Sequence, residues 1–522
     1  MADKDGLTPF ANEPLTDFGQ EREWRAMEEA IRAVRSRLGR EYPLRLGSRT
    51  MYTEEKIVSS NPARPDEVIG RVSRADRKLA EEAMGEAAAA FEWWKRVPAA
   101  ERAAYLLEAA SLLRERKHIF SAWMIVEAGK NWSEADADTA EAIDFLEYYA
   151  REMLRLEELA DSRPLVRIAG ETNRMTYIPL GVGIVIPPWN FPLAICAGMT
   201  AAAVVTGNTV VLKPASTTPV IAYHFYELMR EAGLPPGVLH YLPGSGGEIG
   251  DYLTSHPQTR FISFTGSKEV GLHINRLAAD TPAGQIWIKR LVAEMGGKDG
   301  IVVDETADLD AAAQAIVASA FGFQGQKCSA GSRAIVVEAV YDEVVAKVVE
   351  RTRALSVGLP EENHAIGPVI DRSSYEKILS YIDIGKGEGR LLTGGAAAEG
   401  GGYFLQPTVF ADVDGKARIM QEEIFGPVLA IAKASDWREG IQIYNETEFG
   451  LTGAFFSTDE SRIQEAMETM HCGNLYFNRK CTGAFVGVHP FGGFNLSGTD
   501  SKAGGPDYLP LFMQAKVTSR KL

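Results

Sequence analysis

Cys328 stands in Gln324-Gly325-Gln326-Lys327-Cys328-Ser329-Ala330-Gly331, a polar, glycine-bearing stretch after an expected helix over 308–321. A lone cysteine is ordinarily a small buried apolar residue. In a loop of this kind the thiol can be exposed, and Lys327 turned inward would favour the reactive thiolate. A thiolate attacks an aldehyde carbonyl to give a thiohemiacetal. Two glutamates adjoin glycine-rich or apolar segments: Glu294 in Ala293-Glu294-Met295-Gly296-Gly297-Lys298, and Glu423 in Glu422-Glu423-Ile424-Phe425-Gly426-Pro427. Glu294 ends a strand-like run, so it would point from a sheet edge into a cleft and could act as a general base. The bland reading of either glutamate is a solvated surface carboxylate. Asn190, in Pro187-Pro188-Trp189-Asn190-Phe191-Pro192, is held among rigid prolines and aromatics. Its amide could donate to a developing oxyanion, or simply suit a turn.

These residues need elements to position them. From Thr176 short β-branched runs alternate with amphipathic helices: Gly183 to Ile186, Thr209 to Leu212, Val238 to Leu242 and Phe261 to Phe264. Strands separated by helices of 10–15 residues indicate a parallel, doubly wound sheet. A second series begins near Ile301, with a strand over Ala334 to Val337 and a helix over 341–356, so a second α/β domain is expected. Residues 20–40 read as an amphipathic helix through Trp24, Met27, Ile31, Val34 and Leu38. Helices are also expected between Arg77 and Lys117 and from Ser133 to Leu156. The fingerprint G-x-G-x-x-G is absent; Gly244-Ser245-Gly246-Gly247-Glu248-Ile249-Gly250 has the wrong spacing. Phe264-Thr265-Gly266-Ser267 sits where a strand gives way to a helix, which suits a phosphate or a serine N-cap.

The chain has 522 residues, long enough for two to four domains. Its net charge of −15 argues against nucleic acid or an anionic membrane as partner. Four scattered cysteines give neither a disulfide framework nor a metal-binding spacing, which fits a reducing compartment. No secretory signal is expected, because the start Met1-Ala2-Asp3-Lys4-Asp5 lacks an apolar h-region, and no membrane span, because prolines and Asn190 interrupt the most apolar stretch, Val182 to Val205.

Singly these signals are weak; their order is specific. Pro188-Trp189-Asn190-Phe191-Pro192, Lys213-Pro214-Ala215, Phe264-Thr265-Gly266-Ser267, Glu294-Met295-Gly296-Gly297-Lys298, Gly325-Gln326-Lys327-Cys328, Glu423-Ile424-Phe425-Gly426-Pro427 and Pro490-Phe491-Gly492-Gly493 follow one another. The chain thereby resembles the aldehyde dehydrogenase superfamily over nearly all of residues 50–520. The resemblance implies Cys328 as nucleophile, Asn190 with the Cys328 N–H as oxyanion hole, and Glu294 as activator of the hydrolytic water. It implies NAD on a variant Rossmann domain, with Lys213 on the adenosine ribose, Gly266 and Ser267 on the pyrophosphate, and Glu423 with Phe425 on the nicotinamide ribose. Pro188, Trp189, Ala215, Ser216, Gly246, Gly250 and Phe264 complete that implied set. Many NAD-selective relatives carry Glu where this chain has Ser216, so NADP could be tolerated.

Within the superfamily the chain most resembles the 1-pyrroline-5-carboxylate dehydrogenases. The carriers are the N-terminal extension, Ala140-Glu141-Ala142-Ile143-Asp144-Phe145, Thr482-Gly483-Ala484-Phe485-Val486-Gly487, and the segment Ser497 to Tyr508. That branch implies glutamate γ-semialdehyde as substrate. Its carboxylate would lie on the Gly483-Ala484 amides and Ser329, its chain under Phe491 and Phe191, and its amino end near Glu141. Another semialdehyde such as succinate semialdehyde is the competing substrate; a non-catalytic structural homologue is the competing class. The implied organisation is an N-terminal helical extension over 1–45, a cofactor domain over 46–154 and 177–291, and a catalytic domain over 292–480. A small β oligomerisation element would comprise 155–176, as a hairpin, and 481–522. A cytoplasmic homo-oligomer without a metal is expected, the apolar run Tyr508 to Met513 needing a partner surface.

Overall fold

The computed structural model describes residues 7–162 and 165–522. Two seven-stranded sheets dominate it. In the first, neighbouring strands run Arg290–Glu294, Thr259–Thr265, Val182–Ile186, Thr209–Leu212, Leu239–Tyr241, Leu44–Leu46, Arg49–Met51. The first five are parallel and the last two join antiparallel. Strand Val182–Ile186 is earliest in the chain of those five yet central in the sheet. Later strands build outward on one side, and the chain then returns to the other flank with Thr259–Thr265. At such a reversal the loops leaving two adjacent strands diverge, and a crevice opens at their C-terminal ends. The loops in question carry Pro187 to Pro192 and Gly266-Ser267.

The second sheet runs Arg390–Thr393, Thr408–Ala411, Val428–Ala434, Arg333–Val337, Gly300–Val303, Thr452–Phe456, Asn474–Phe477, parallel except at Arg390–Thr393. Helix Leu309–Phe321 connects two of its central strands, and Cys328 lies between that helix and strand Arg333–Val337. The chain leaves the first sheet at Glu294 and enters the second at Gly300. Strand C-termini of the first sheet therefore meet strand N-termini of the second across residues 295–299. That junction places the chemistry.

Several expectations shift. The helix expected over 20–40 spans Glu21–Arg35 and buries Met27, Ile31 and Val34, while Trp24 rests against Trp132 at the surface. Leu38 lies beyond it, and Arg40–Tyr42 is already a strand paired with Arg64–Ser73. A boundary at 45/46 therefore cuts through strand Leu44–Leu46 of the first sheet. The arm before the helix is strapped to helix Trp132–Ser162: Asn12 Nδ2 donates to Asp144 Oδ2 (2.8 Å), and the Thr16 N–H to Asp136 (2.8 Å). Among the described residues of 155–176 no strand pairs with another of that span. The long helix runs on to Ser162, and strand Glu171–Pro179 pairs antiparallel with the distant Met513–Lys521. The run Tyr508 to Met513 does not wait for a partner. Tyr508 stacks on Tyr149, Phe512 meets Phe261 edge-on, and Leu509 and Met513 are buried in the same core. Among the described residues, no helix is long and apolar enough to cross a membrane, and no His, Cys, Asp or Glu cluster is placed to hold a metal.

Candidate active site

Three successive residues ahead of Cys328 are left-handed: Phe323 (φ 47°), Gln324 (φ 56°) and Gly325 (φ 68°). Backbone of this kind persists only where its surroundings over-determine it. They do. Gln324 Nε2 donates to the carbonyls of Gly129 (3.0 Å) and Pro368 (2.8 Å), and the Ile370 N–H donates to Gln326 Oε1 (2.9 Å). Lys130 Nζ, fully buried, lies 4.0 Å from the ring centre of Phe191 and 4.4 Å from that of Phe323, with Asp138 Oδ2 at 3.0 Å. Asp138 also accepts the Ala194 N–H (2.6 Å). One buried ion pair thus ties the loop bearing Asn190 to the loop bearing Cys328.

Cys328 keeps partial exposure but is crowded by protein. Burial, then the charges of Asp299, Glu423 and Glu294, pushes its thiol well above the ordinary range, while the Ser329 N–H works the other way. The expected help from Lys327 is absent. Its ammonium turns away to Glu134 (2.8 Å to Oε1, 2.7 Å to Oε2) because that buried carboxylate is the nearer anion. Gly297 is required opposite: a β-carbon there would come 2.4 Å from the Cys328 carbonyl oxygen.

Asn190 is buried, and its Nδ2 donates one hydrogen to the Gln326 carbonyl (3.0 Å). An amide nitrogen carries two hydrogens, so the second remains for an oxyanion beside Cys328. Glu294 is the last residue of its strand and is buried. Its Oε1 accepts from the Ser501 hydroxyl and its Oε2 from the Gly493 N–H (3.3 Å). Burial outweighs these donors and raises its carboxyl to about 8. A carboxyl at that value is matched to taking a proton near neutral pH.

The crevice at the first sheet collects the residues assigned to the cofactor. Lys213 follows strand Thr209–Leu212; among the described residues its buried ammonium finds only the Pro214 carbonyl at 3.5 Å, and burial lowers it to about 8. A cation so short of acceptors fits a ribose diol. Gly250, in the turn Gly246–Gly250, lies beside it, a β-carbon there sitting 3.6 Å from Lys213 Cε. Ser267 caps helix Lys268–Ala279 by accepting from the Val270 N–H (3.3 Å), so the cap is present at the same helix start that suits a phosphate. Phe264 is buried beneath Gly266 and packs with Ile262, Ile274 and Met295, which makes its side chain core rather than lining. Ala215 is partly exposed and Ser216 exposed. Across the crevice, Trp189, just after the buried Pro188, meets Phe425 edge-on at 5.4 Å. Glu423 accepts the Gly297 N–H (3.0 Å), and burial raises it to about 7.

The other mouth is built by the segment after strand Asn474–Phe477. Cys481 donates its thiol to the Ser329 carbonyl (3.7 Å), which ties the segment carrying the Gly483 turn to the Cys328 loop. Gly483 is left-handed (φ 77°), and among the described residues neither its N–H nor that of Ala484 has an acceptor in the protein. Ser329 is buried; Phe191 and Phe491 are partly exposed. Glu141, on helix Trp132–Ser162, is partly exposed and raised to about 8 by burial and then by Asp138. Residues 481–505 thus fold over the site, and only Met513–Lys521 joins the outlying ribbon.

Ser501, Lys130, Asp138, Gln324, Gln326 and Arg479 escaped the sequence reading. Ser501 acts on a residue 207 positions away, a pairing without any local signal. The tandem glutamines flanking Gly325 were visible, and their amides next to a glycine turn are the cue that could have marked them.

A profile of the aldehyde dehydrogenase family matches residues 50–518. The chain is 62% identical over 514 residues to a 1-pyrroline-5-carboxylate dehydrogenase of Geobacillus sp. (strain WCH70), spanning 98% of this chain and 99% of that one. It is 57% identical over 519 residues to one from Bacillus mycoides (strain KBAB4), spanning 99% and 100%. Its structure is similar to that of 1-pyrroline-5-carboxylate dehydrogenase from Thermus with bound NAD, with a TM-score of 0.97, 50% identity and coverage of 99% and 100%. With the cysteine loop, the Asn190 amide and the buried Glu294 carboxylate set where two largely parallel sheets meet, and with these relatives, the chain belongs to the aldehyde dehydrogenase family.

Proposed function

We propose that the protein oxidises L-glutamate γ-semialdehyde to L-glutamate with NAD. The observation that carries the substrate is the pair of acceptor-free N–H groups at Gly483 and Ala484, joined through Cys481 to the residue after the nucleophile. An amide-lined, left-handed turn is an anion site, and here it lies at the mouth opposite the cofactor crevice. Its neighbour Arg479 spends its guanidinium on backbone carbonyls, which sets the site apart from one gripping a carboxylate with a basic side chain.

Cys328 surrenders its proton and its sulfur adds to the aldehyde carbon. Asn190 and the Cys328 N–H steady the oxygen as it becomes negative. NAD, when bound, supplies the carbon that accepts a hydride. Loss of that hydride leaves a thioester on Cys328. Glu294 then takes a proton from water, the hydroxide adds to the thioester, and the carboxylic acid departs as the thiol is restored. Lys213, Ser267, Glu423 and Phe425 hold the cofactor along the crevice. Substrate length is read between Cys328 and the Gly483 turn, with Phe491 and Phe191 beside the chain and Glu141 near the amino end. The three cysteines other than the nucleophile are buried and unpaired, which fits a cytoplasmic enzyme, and the Glu171–Pro179 and Met513–Lys521 ribbon fits a homo-oligomer.

The test is turnover. Aldehyde-dependent NADH formation is expected to vanish in Cys328→Ala, and the wild type is expected to prefer glutamate semialdehyde to succinate semialdehyde and to uncharged aldehydes. Unchanged NADH formation in the variant, or a preference for an uncharged aldehyde, overturns the proposal.

A further inference from the structure

The peptide units of the Gly483 turn are held from behind. Arg479 Nη2 donates to the carbonyls of Thr482 (2.8 Å) and Gly483 (3.0 Å). Those oxygens belong to the same two peptide groups as the N–H of Gly483 and of Ala484. A trans peptide carries its C=O and N–H on opposite sides. Gripping both oxygens therefore turns both hydrogens the other way, to the side on which neither finds an acceptor in the protein. Gly483, at φ 77°, supplies the left-handed residue that makes successive N–H groups converge.

The guanidinium is itself braced. Nε donates to the Lys480 carbonyl (3.3 Å), and its carbon lies 4.3 Å from the Tyr476 ring centre. Nη1 stands 3.5 Å from His489 Nε2, and His489 Nδ1 accepts the Phe485 N–H (3.2 Å), closing the far end of the turn. Burial, then the Arg479 charge, keeps His489 neutral to below its ordinary range. Among the described residues the guanidinium has as acceptors the backbone carbonyls of Lys480, Thr482 and Gly483, all uncharged. Its positive charge, behind two aligned peptide dipoles, adds to the potential at their N–H ends.

We infer that Arg479 is a positioning residue for substrate specificity, holding and polarising the Gly483 and Ala484 peptides so that they bind the distal carboxylate of the aldehyde. The role calls for arginine, because one planar fork reaches three backbone oxygens where an ammonium is a point charge. The inference rests on the proposed role of the Gly483 turn as carboxylate anchor. Lys480 is the competing source of charge, since its Cε would come 3.3 Å from a β-carbon on Gly483.

Full-length Arg479→Met, Arg479→Lys and Lys480→Met are compared with wild type on glutamate semialdehyde and on pentanal, with inhibition by the product L-glutamate measured alongside. Arg479→Met is expected to raise KM for the semialdehyde and Ki for glutamate about tenfold or more, with kcat within about threefold and pentanal kcat/KM within about twofold. Arg479→Lys should recover part of that loss, and Lys480→Met should lose less. An equal loss on both aldehydes, or a larger loss in Lys480→Met, overturns the inference. If wild type prefers the semialdehyde and Arg479→Met keeps that preference, Arg479 alone is excluded. If wild type shows no preference over pentanal, the anchor itself falls, and this inference with it.

Discussion

The Ser501 hydroxyl donates to Oε1 of Glu294, and the Gly493 N–H reaches Oε2 of the same carboxylate. Both donors come from the segment 481–505, so one stretch of chain aims the Glu294 carboxylate and tempers its proton affinity. Burial raises Glu294 to about 8 and Ser501 opposes that rise. Thioester hydrolysis should therefore climb with pH to a plateau above about 8. Ser501→Ala removes a donor that favours the ionised form, so the limb should move up by about half to one pH unit. Near pH 7.5 hydrolysis should slow about three- to tenfold, leaving a larger NADH burst than steady-state rate. Ser501→Thr should restore both. Rapid-mixing kinetics across pH checks this, and a limb that moves down would show that the hydroxyl does not support the ionised base.

Cys328 is not activated by its neighbour in the chain. Alkylation by iodoacetamide without cofactor should be slow at pH 7 and still rising beyond pH 9, because burial holds the thiol protonated. Lys327→Met should change that rate by less than about threefold, since the ammonium is already committed to Glu134. Mass-spectrometric timing of Cys328 labelling decides it; a large fall in Lys327→Met would mean the lysine reaches the sulfur.

The five parallel strands of the first sheet and two of the second were legible because buried parallel strands read as β-branched runs, whereas Thr408–Ala411, Val428–Ala434, Thr452–Phe456 and Asn474–Phe477 were not read. Asn190, Glu294 and Cys328 stood out as candidates because each sits where such a run or its following helix ends. Strand order was not legible, since the placement of Val182–Ile186 between Thr209–Leu212 and Thr259–Thr265 is a tertiary outcome. Phe264 and Lys327 show the other limit. The resemblance put Phe264 among the cofactor residues and the charge of Lys327 suited thiolate support, but side-chain direction put one into the core and the other onto Glu134. The strand partners Glu171–Pro179 and Met513–Lys521 lie too far apart in the chain for any local pattern to pair them.

Ser216, exposed, brings no negative charge to the segment after Lys213-Pro214-Ala215. NAD should still be preferred, with NADP accepted at a measurable rate. Ser216→Glu should cut kcat/KM for NADP about tenfold or more through repulsion of the 2′-phosphate, and leave NAD within about threefold. A wild-type preference of about tenfold or more for NADP would reverse the assignment.

Gly325 completes the left-handed run before Cys328, and a β-carbon there would come 2.3 Å from the Gly426 carbonyl oxygen. Both obstacles are backbone and cannot be relieved by rotating a side chain. Gly325→Ala should destabilise the fold by about 2 kcal/mol or more. Because Cys328 lies three residues on, activity should fall further than stability, about a hundredfold. Thermal melts beside turnover check this; wild-type activity would show that the loop tolerates a different backbone.

The ribbon of Glu171–Pro179 and Met513–Lys521 projects from the body with its outer residues exposed. A two-stranded antiparallel ribbon is marginal alone in water, and its free edges invite another strand. Val517 is 59% exposed in the middle of it, although the apolar run just before it is satisfied within its own chain. The ribbon, not that run, is therefore the surface that a second copy should cover. Light scattering at micromolar concentration should give a mass of at least twice 56.9 kDa. Val517→Lys, or removal of residues 514–522, should lower that mass. A wild-type monomer, or an oligomer indifferent to both changes, would place the interface elsewhere.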